Sequence, residues 1–301
     1  MRTKDRKGIT LVTLVITIFV LLVLAVVVIA SVTKDSIIDN ANKISSDWND
    51  ASKLEKDNKE ELNDFLNEIN GRPSTGGNIN VNGSYYGKSA VFVGDSITYG
   101  EGTSAGSRYW ELLKTSLNLS SVTGMGVSGS SISAQSKRSD TYVPLMNRYN
   151  SIPRADLIMI FMGTNDYGHE TPLGTIKDTT DISFYGALNV IISSLTSKYP
   201  TSELIFVTPL HRYGYGTSPT TGEAYTYDYL PNYEGASLGD YVQAIKDVCQ
   251  KYSIPVIDLY SLSGLDPSIA STRTEYMPDG IHPNAKGHKL IADIIKEQLE
   301  D

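Results

Sequence analysis

Ala90-Val91-Phe92-Val93-Gly94-Asp95-Ser96-Ile97-Thr98 is a short apolar run closed by a glycine, an acid and a serine. Four β-branched, aromatic or small apolar residues ahead of a glycine read as a buried strand. The serine then falls on the turn from that strand into a helix, with its hydroxyl exposed and its backbone N–H free. An acyl-transfer nucleophile needs both. A serine that merely caps a helix carries the same local signature, so the rest of the chain has to decide.

The same punctuation recurs downstream. Apolar runs at Ser121 to Met125, Leu157 to Met162, Leu204 to Thr208 and Pro255 to Leu259 alternate with helical stretches near Ser107 to Leu117, Ser183 to Lys198, Leu238 to Tyr252 and Asn284 to Leu299. In the last of these, Leu290, Ile291, Ile294, Ile295 and Leu299 form one apolar face behind Asn284 as a helix cap. Strands alternating with helices require a parallel sheet covered on both faces. We expect a three-layer α/β/α domain over residues 89–301 with a five-stranded parallel sheet. Its active site should lie beyond the C-terminal strand ends.

Three further motifs fall at or just after strand ends or before the last helix. Gly124-Met125-Gly126-Val127-Ser128-Gly129 follows the second strand, where a residue without Cβ lets a carbonyl approach a backbone N–H. It also matches G-x-G-x-x-G, but the dinucleotide fingerprint wants an acid at the end of the next strand, and Asp156 opens that strand instead. Gly163-Thr164-Asn165-Asp166 places an amide, a neutral donor for a developing oxyanion, after the third strand. A plain turn would use the same residues. Asp279-Gly280-Ile281-His282 sets a carboxylate three residues before a histidine, close enough to hold one ring nitrogen while the other accepts a serine proton.

Ser96, Gly126, Asn165 and His282 with Asp279, in this order, resemble the SGNH (GDSL-like) hydrolase family over about Ser89 to Leu299. The resemblance implies a flavodoxin-like sheet and a serine esterase working through a seryl acyl-enzyme. Ser96 would be the nucleophile, His282 the base and Asp279 the group behind it. The oxyanion hole would be Ser96, Gly126 and Asn165. No cofactor and no metal are implied. The family often has asparagine two residues before the second-block glycine, and Gly124 stands there in this chain.

The 301 residues suit one medium domain with attachments. A formal charge of -8 and no basic patch in the body of the chain argue against a nucleic-acid partner. Cys249 is the single cysteine, which rules out an internal disulfide and reads as a small core residue.

Residues 9–32 are almost wholly apolar and uncharged, long enough as a helix to cross a bilayer. Arg2, Lys4, Arg6 and Lys7 stand against the single Asp5 in residues 1–8, a basic segment expected to stay cytoplasmic. The expectation is a single-pass anchor at the cell membrane with the catalytic domain extracellular; a cleaved signal peptide with Val28 and Ala30 near the cut is the rival. Lys7-Gly8-Ile9-Thr10-Leu11-Val12 also resembles a prepilin N-terminus, which implies cleavage after Gly8 and a pilus-like assembly. Thr13 departs from that family, which usually carries glutamate there. Residues 33–70 are dense in charge, with an apolar stripe (Ile37, Ala41, Ile44, Trp48, Ala51, Leu62, Phe65, Ile69) at helical spacing. They read as a helical stem that pairs with a partner helix, lies on its own domain or is weakly ordered. Residues 71–88 read as a flexible linker.

His211, just past the fourth strand, is a candidate to line the active-site cleft and bind substrate; His169 and His288 read as structural or solvated. Tyr225, Tyr227 and Tyr229 sit in a long insertion at the catalytic end of the sheet. Their flat faces suit stacking on sugar rings, and equally suit covering the domain surface. The substrate expectation is an ester, foremost an O-acetylated extracellular carbohydrate. Lipase, lysophospholipase or thioesterase activity, and a non-catalytic pilin-like glycan-binding protein, are the alternatives.

Overall fold

In a computed structural model, residues 85–214 and 227–300 are described. The stretches expected to be a basic terminus, a membrane helix, a stem and most of a linker lie outside the described residues, as does Tyr225. Among the described residues no helix is long and apolar enough to cross a membrane.

β1 (Ser89–Gly94) runs into the one-turn helix α1 (Ser96–Tyr99), then α2 (Tyr109–Ser116), β2 (Ser121–Gly126) and β3 (Leu157–Phe161). The short α3 (Thr164–Gly168), α4 (Phe184–Lys198), β4 (Glu203–Val207), α5 (Leu238–Lys251) and β5 (Val256–Ile257) follow. α6 (Leu259–Leu262), α7 (Ala270–Tyr276) and α8 (Ala285–Glu300) close the chain. The strands form the expected five-stranded sheet in the order β2-β1-β3-β4-β5, with every pair parallel. Neighbours in space part company in sequence between β1 and β3, and that is where such a sheet opens a crevice at its C-terminal edge.

Period-two alternation sorts the strand residues into two faces. Val91, Val93, Ile158, Ile160 and Phe206 pack with Phe184, Leu188 and Ile192 of α4 and Ile245 of α5. On the other face Phe92 and Phe161 meet the ring of Tyr109 edge-on, with centroids 5.9 Å and 5.7 Å away. Such a buried aromatic is worth about 1.5–3 kcal/mol in transfer alone, and the Tyr109 hydroxyl is paired with Thr98 Oγ1 at 2.9 Å. His288 of α8 is fully buried beneath it and accepts the Tyr109 backbone N–H through Nδ1 at 3.2 Å. An otherwise orphaned first-turn donor of α2 is thereby satisfied across the layer. Burial pushes the His288 imidazole down to about 4, so it stays neutral.

Caps decide several boundaries. Asn284 Oδ1 accepts from Lys286 N and Gly287 N at 3.0 Å and 3.2 Å, as expected of the residue opening the last helix. Leu259, read as the end of a strand, begins α6 instead, because Asp258 caps that helix through Ser261 N. β5 is left with two residues. Packing also starts earlier than residue 89: Tyr85 is buried and its hydroxyl donates to the Glu203 carboxylate at 3.1 Å. Asp156 Oδ2 accepts from Ser89 N and Ser89 Oγ at 2.8 Å and 2.6 Å, tying β1 to β3 at the N-terminal end of the sheet. That is the edge opposite the crevice, where no ribose-binding acid could serve.

Candidate active site

Ser96 is the first residue of α1, directly beyond β1. Asp95, 2% exposed, caps that helix by accepting Ile97 N at 2.9 Å, and its burial pushes its carboxyl up to about 6. As the first residue of the helix, Ser96 has a backbone N–H without an intrahelical partner. His282 Nε2 lies 2.9 Å from Ser96 Oγ, and His282 Nδ1 lies 2.6 Å from Asp279 Oδ2.

The Asp279 turn is held by its own acid. Oδ1 accepts from Ile281 N and His282 N at 2.9 Å and 2.7 Å. Gly280 between them has φ +83°, and a Cβ there would stand 2.1 Å from the Tyr213 carbonyl oxygen, so only glycine fits. Burial works to raise the Asp279 carboxyl, but the hydrogen bonds from His282 and Ile281 outweigh it and hold the group down to about 2. Burial likewise disfavours the His282 imidazolium, yet the hydrogen bond and charge of Asp279 raise it above its ordinary value.

Asn165, in α3 beyond β3, donates from Nδ2 to the Ser130 carbonyl at 3.1 Å, which orients its amide. Gly126 ends β2, and a Cβ there would lie 2.0 Å from Tyr99 N, so β2 can approach α1 only without a side chain. Two residues earlier, the space above Gly124 is filled by Trp110, whose ring would lie 2.5 Å from an added Cβ. Trp110 Nε1 donates to Thr98 O at 2.9 Å, so the indole supports α1 from the side where the family often has an asparagine.

A cavity of about 390 Å³ opens over Ser96, Asn165 and His282. Glu101 and Ser128, hydrogen-bonded to each other at 2.8 Å, form part of its wall. Arg138, Tyr142, His169 and Arg212 also line it, and Ile281 is the one aliphatic side chain among the described lining residues.

Sequence reasoning missed several of these groups. His169, read as structural or solvated, is in the wall, stacked on Tyr142 at 5.4 Å. Burial, then Arg138 and Arg212, push its imidazole down to about 4. Arg148 donates to Met125 O, Gly94 O and Ser130 Oγ at 3.1, 2.9 and 3.1 Å, closing the strand ends under the site. Asp166 is fully buried and accepts from Ile132 N and Ser133 N at 2.7 Å and 3.1 Å, fixing the Ser130 loop to α3. No periodicity marks such residues; only the acid beside Asn165 in the third motif carried a signal.

The weaker site expectations fall elsewhere. His211 pairs through Nδ1 with Asp228 at 2.8 Å, bonds the Tyr260 backbone and stacks on the Tyr260 ring, outside the lining of the cavity. Tyr227 and Tyr229 stack on one another at 5.0 Å, and Tyr213 bridges to Tyr227, next to the Gly280 turn but also outside that lining. Tyr229 is 64% exposed.

A hydroxyl bonded to an imidazole that is itself bonded to a carboxylate, set at the crevice of a parallel sheet, is the arrangement of a serine hydrolase. The profile of the GDSL-like lipase/acylhydrolase family matches residues 92–290. The chain belongs to that family and is an ester-hydrolysing serine hydrolase. A solved structure 31% identical covers 72% of this chain and 97% of its own, with a TM-score of 0.64. A protein from Lactobacillus plantarum is 30% identical over 71% of this chain and 97% of its own, with a TM-score of 0.62. A possible lipase from Chitinophaga pinensis, 22% identical over 70% of this chain and 97% of its own, shares the fold at a TM-score of 0.56. No curated protein matches the chain.

Proposed function

We propose that the chain is an O-deacetylase of extracellular carbohydrate, held at the cell membrane by residues 9–32 with its catalytic domain outside. The observation that carries the substrate reading is the lining of the cavity. Polar and charged side chains surround Ser96, and among the described lining residues Ile281 alone offers an aliphatic surface. An acetyl group needs no apolar slot, whereas a fatty acyl chain gains about 0.8 kcal/mol per buried methylene only where apolar walls receive it. That disfavours the lipase reading, and a purely glycan-binding role would not need His282 Nε2 within 2.9 Å of Ser96 Oγ.

In this reading Ser96 Oγ attacks the ester carbonyl carbon while its proton passes to His282 Nε2. Asp279 stays ionised, holds the Nδ1–H tautomer and stabilises the imidazolium. The oxyanion is met by the Ser96 N–H and the Asn165 amide; of the second motif's glycines it is Gly129 that lines the cavity beside them, while Gly126 packs against α1 outside that lining. The carbon–oxygen bond to the sugar then breaks as His282 returns the proton to the departing alcohol oxygen. Water, losing its proton to His282, attacks the acetyl-Ser96 ester and frees acetate. Tyr225, Tyr227 and Tyr229 supply stacking surface for the glycan, and His211 holds its scaffold.

The test is turnover by the full-length chain in detergent of p-nitrophenyl acetate, butyrate and octanoate, with acetate release from acetylated xylan. Acetate should be preferred, and a preference for octanoate overturns the deacetylase reading. Protease added to intact protoplasts should remove the domain; complete protection overturns the topology.

A further inference from the structure

We propose that Arg138 and Arg212 form an anion subsite in the wall of the catalytic cavity, so that the acetylated glycan carries a carboxylate close to the ester. The inference rests on the deacetylase reading above and names its substrate class.

Arg212 is 7% exposed and built in place. Its backbone N–H donates to Asp228 Oδ2 at 3.1 Å, the carboxylate that also takes His211. One guanidinium nitrogen donates to Thr164 O at 2.7 Å, one residue before Asn165, and the group lies over the Tyr167 ring at 5.6 Å. A Cβ on Gly168, another residue of the cavity lining, would come within 2.6 Å of it. The glycine therefore lets a fixed cation stand close to the cavity. Arg138 is exposed, and its guanidinium makes no hydrogen bond or ion pair among the described residues. Both cations bear on His169. That ring stays neutral and adds no charge of its own.

Two arginines facing one cavity run against the charge of a chain that is -8 overall. A buried arginine is retained where a planar oxyanion is to be matched in geometry as well as charge. The other charge in the wall, Glu101, is held by Ser128 and bears on His282. A carboxylate is repelled from Glu101 and drawn to the arginines, which orients the sugar with its acetyl ester over Ser96.

The experiment compares acetate release from acetylated oligogalacturonate and acetylated xylo-oligosaccharide by the full-length chain, its Arg138→Gln variant and its Arg138→Lys variant. The parent should favour the anionic ester, and Arg138→Gln should lower the ratio of the two kcat/KM values by roughly five- to tenfold, the effect of losing one charged contact. Arg138→Lys should keep part of the preference. Equal kcat/KM on both esters in the parent, unchanged in Arg138→Gln, overturns the subsite and leaves the deacetylase reading standing. If neither ester is cleaved, the deacetylase reading falls, and calorimetry on Ser96→Ala then decides the subsite. Tighter binding of oligogalacturonate than of xylo-oligosaccharide, weakened by Arg138→Gln, supports it, and equal binding overturns it.

Discussion

His282 Nε2 stands 2.9 Å from Ser96 Oγ across 186 positions of sequence, while Asp279, three positions away, holds the other ring nitrogen at 2.6 Å. The base and its carboxylate are thus a local unit on one turn, and the nucleophile is brought to them by the sheet. If the two halves act as one device, Ser96→Ala and His282→Ala should each cut kcat by several orders of magnitude, and the double variant should be little worse than either. Asn165→Ala should lower kcat by roughly 10²- to 10³-fold with little change in KM. Steady-state kinetics on p-nitrophenyl acetate checks this, and parental activity in folded Ser96→Ala sinks the scheme.

The pH profile follows from the same pair. His282 must be neutral to accept a proton, and Asp279 raises its pKa against the opposing effect of burial. The acid limb of kcat/KM should therefore inflect above 6.5, the ordinary imidazole value. Asp279→Asn removes the strongest of the effects that raise the pKa, leaving Asp95 and Glu101 against burial, so the limb should move to lower pH as kcat drops by about 10³ to 10⁴. A limb that stays at the parental position would mean that another group titrates there.

Gly124 and Trp110 form a second matched pair. Gly124→Asn, which restores the residue common in the family, should destabilise by about 1–3 kcal/mol, because the indole already occupies the space. Combined with Trp110→Ala the asparagine should be tolerated better than the sum of the single changes. Additive losses of Tm in the double variant would refute the steric account.

Asp166 is the acceptor for two buried backbone donors of the loop that carries Ser130. Asp166→Ala leaves Ile132 N and Ser133 N unpaired, at about 1–3 kcal/mol each. Tm should fall, and kcat should fall with it, since Ser130 O anchors the Asn165 amide. A variant with parental Tm would place those donors on other partners.

The stacked aromatic pair of half-buried Tyr227 and exposed Tyr229 offers a test remote from the reacting bond. Replacing both by alanine should raise KM for acetylated xylan while p-nitrophenyl acetate turnover stays near parental. Equal losses on both substrates would make the pair purely structural.

The sequence alone determined the parallel α/β/α architecture, because each apolar run is short enough only for a strand and each of the long helices carries its own 3.6-residue stripe. It also marked Ser96, Asn165, Asp279 and His282, since an acid three residues before a histidine is a local constraint, but it chose Gly126 in the second motif where the cavity is lined by Gly129. A helix was expected after Ser96, but the one-turn extent of α1 and α3 was not legible, both being too short to show a period, and Leu259 was misread because a cap at Asp258 outweighed an apolar run. Only the tertiary structure decided which cations face the cavity. Arg138 and Arg212, which line it, and Arg148, which lies beneath it, come from separate loops with no pattern of their own, and His211, next in sequence to Arg212, is drawn instead to Asp228 and Tyr260. Solvent exposure and partner choice for such side chains are set by what the sheet brings within reach, and a chain read one residue at a time does not contain that distance.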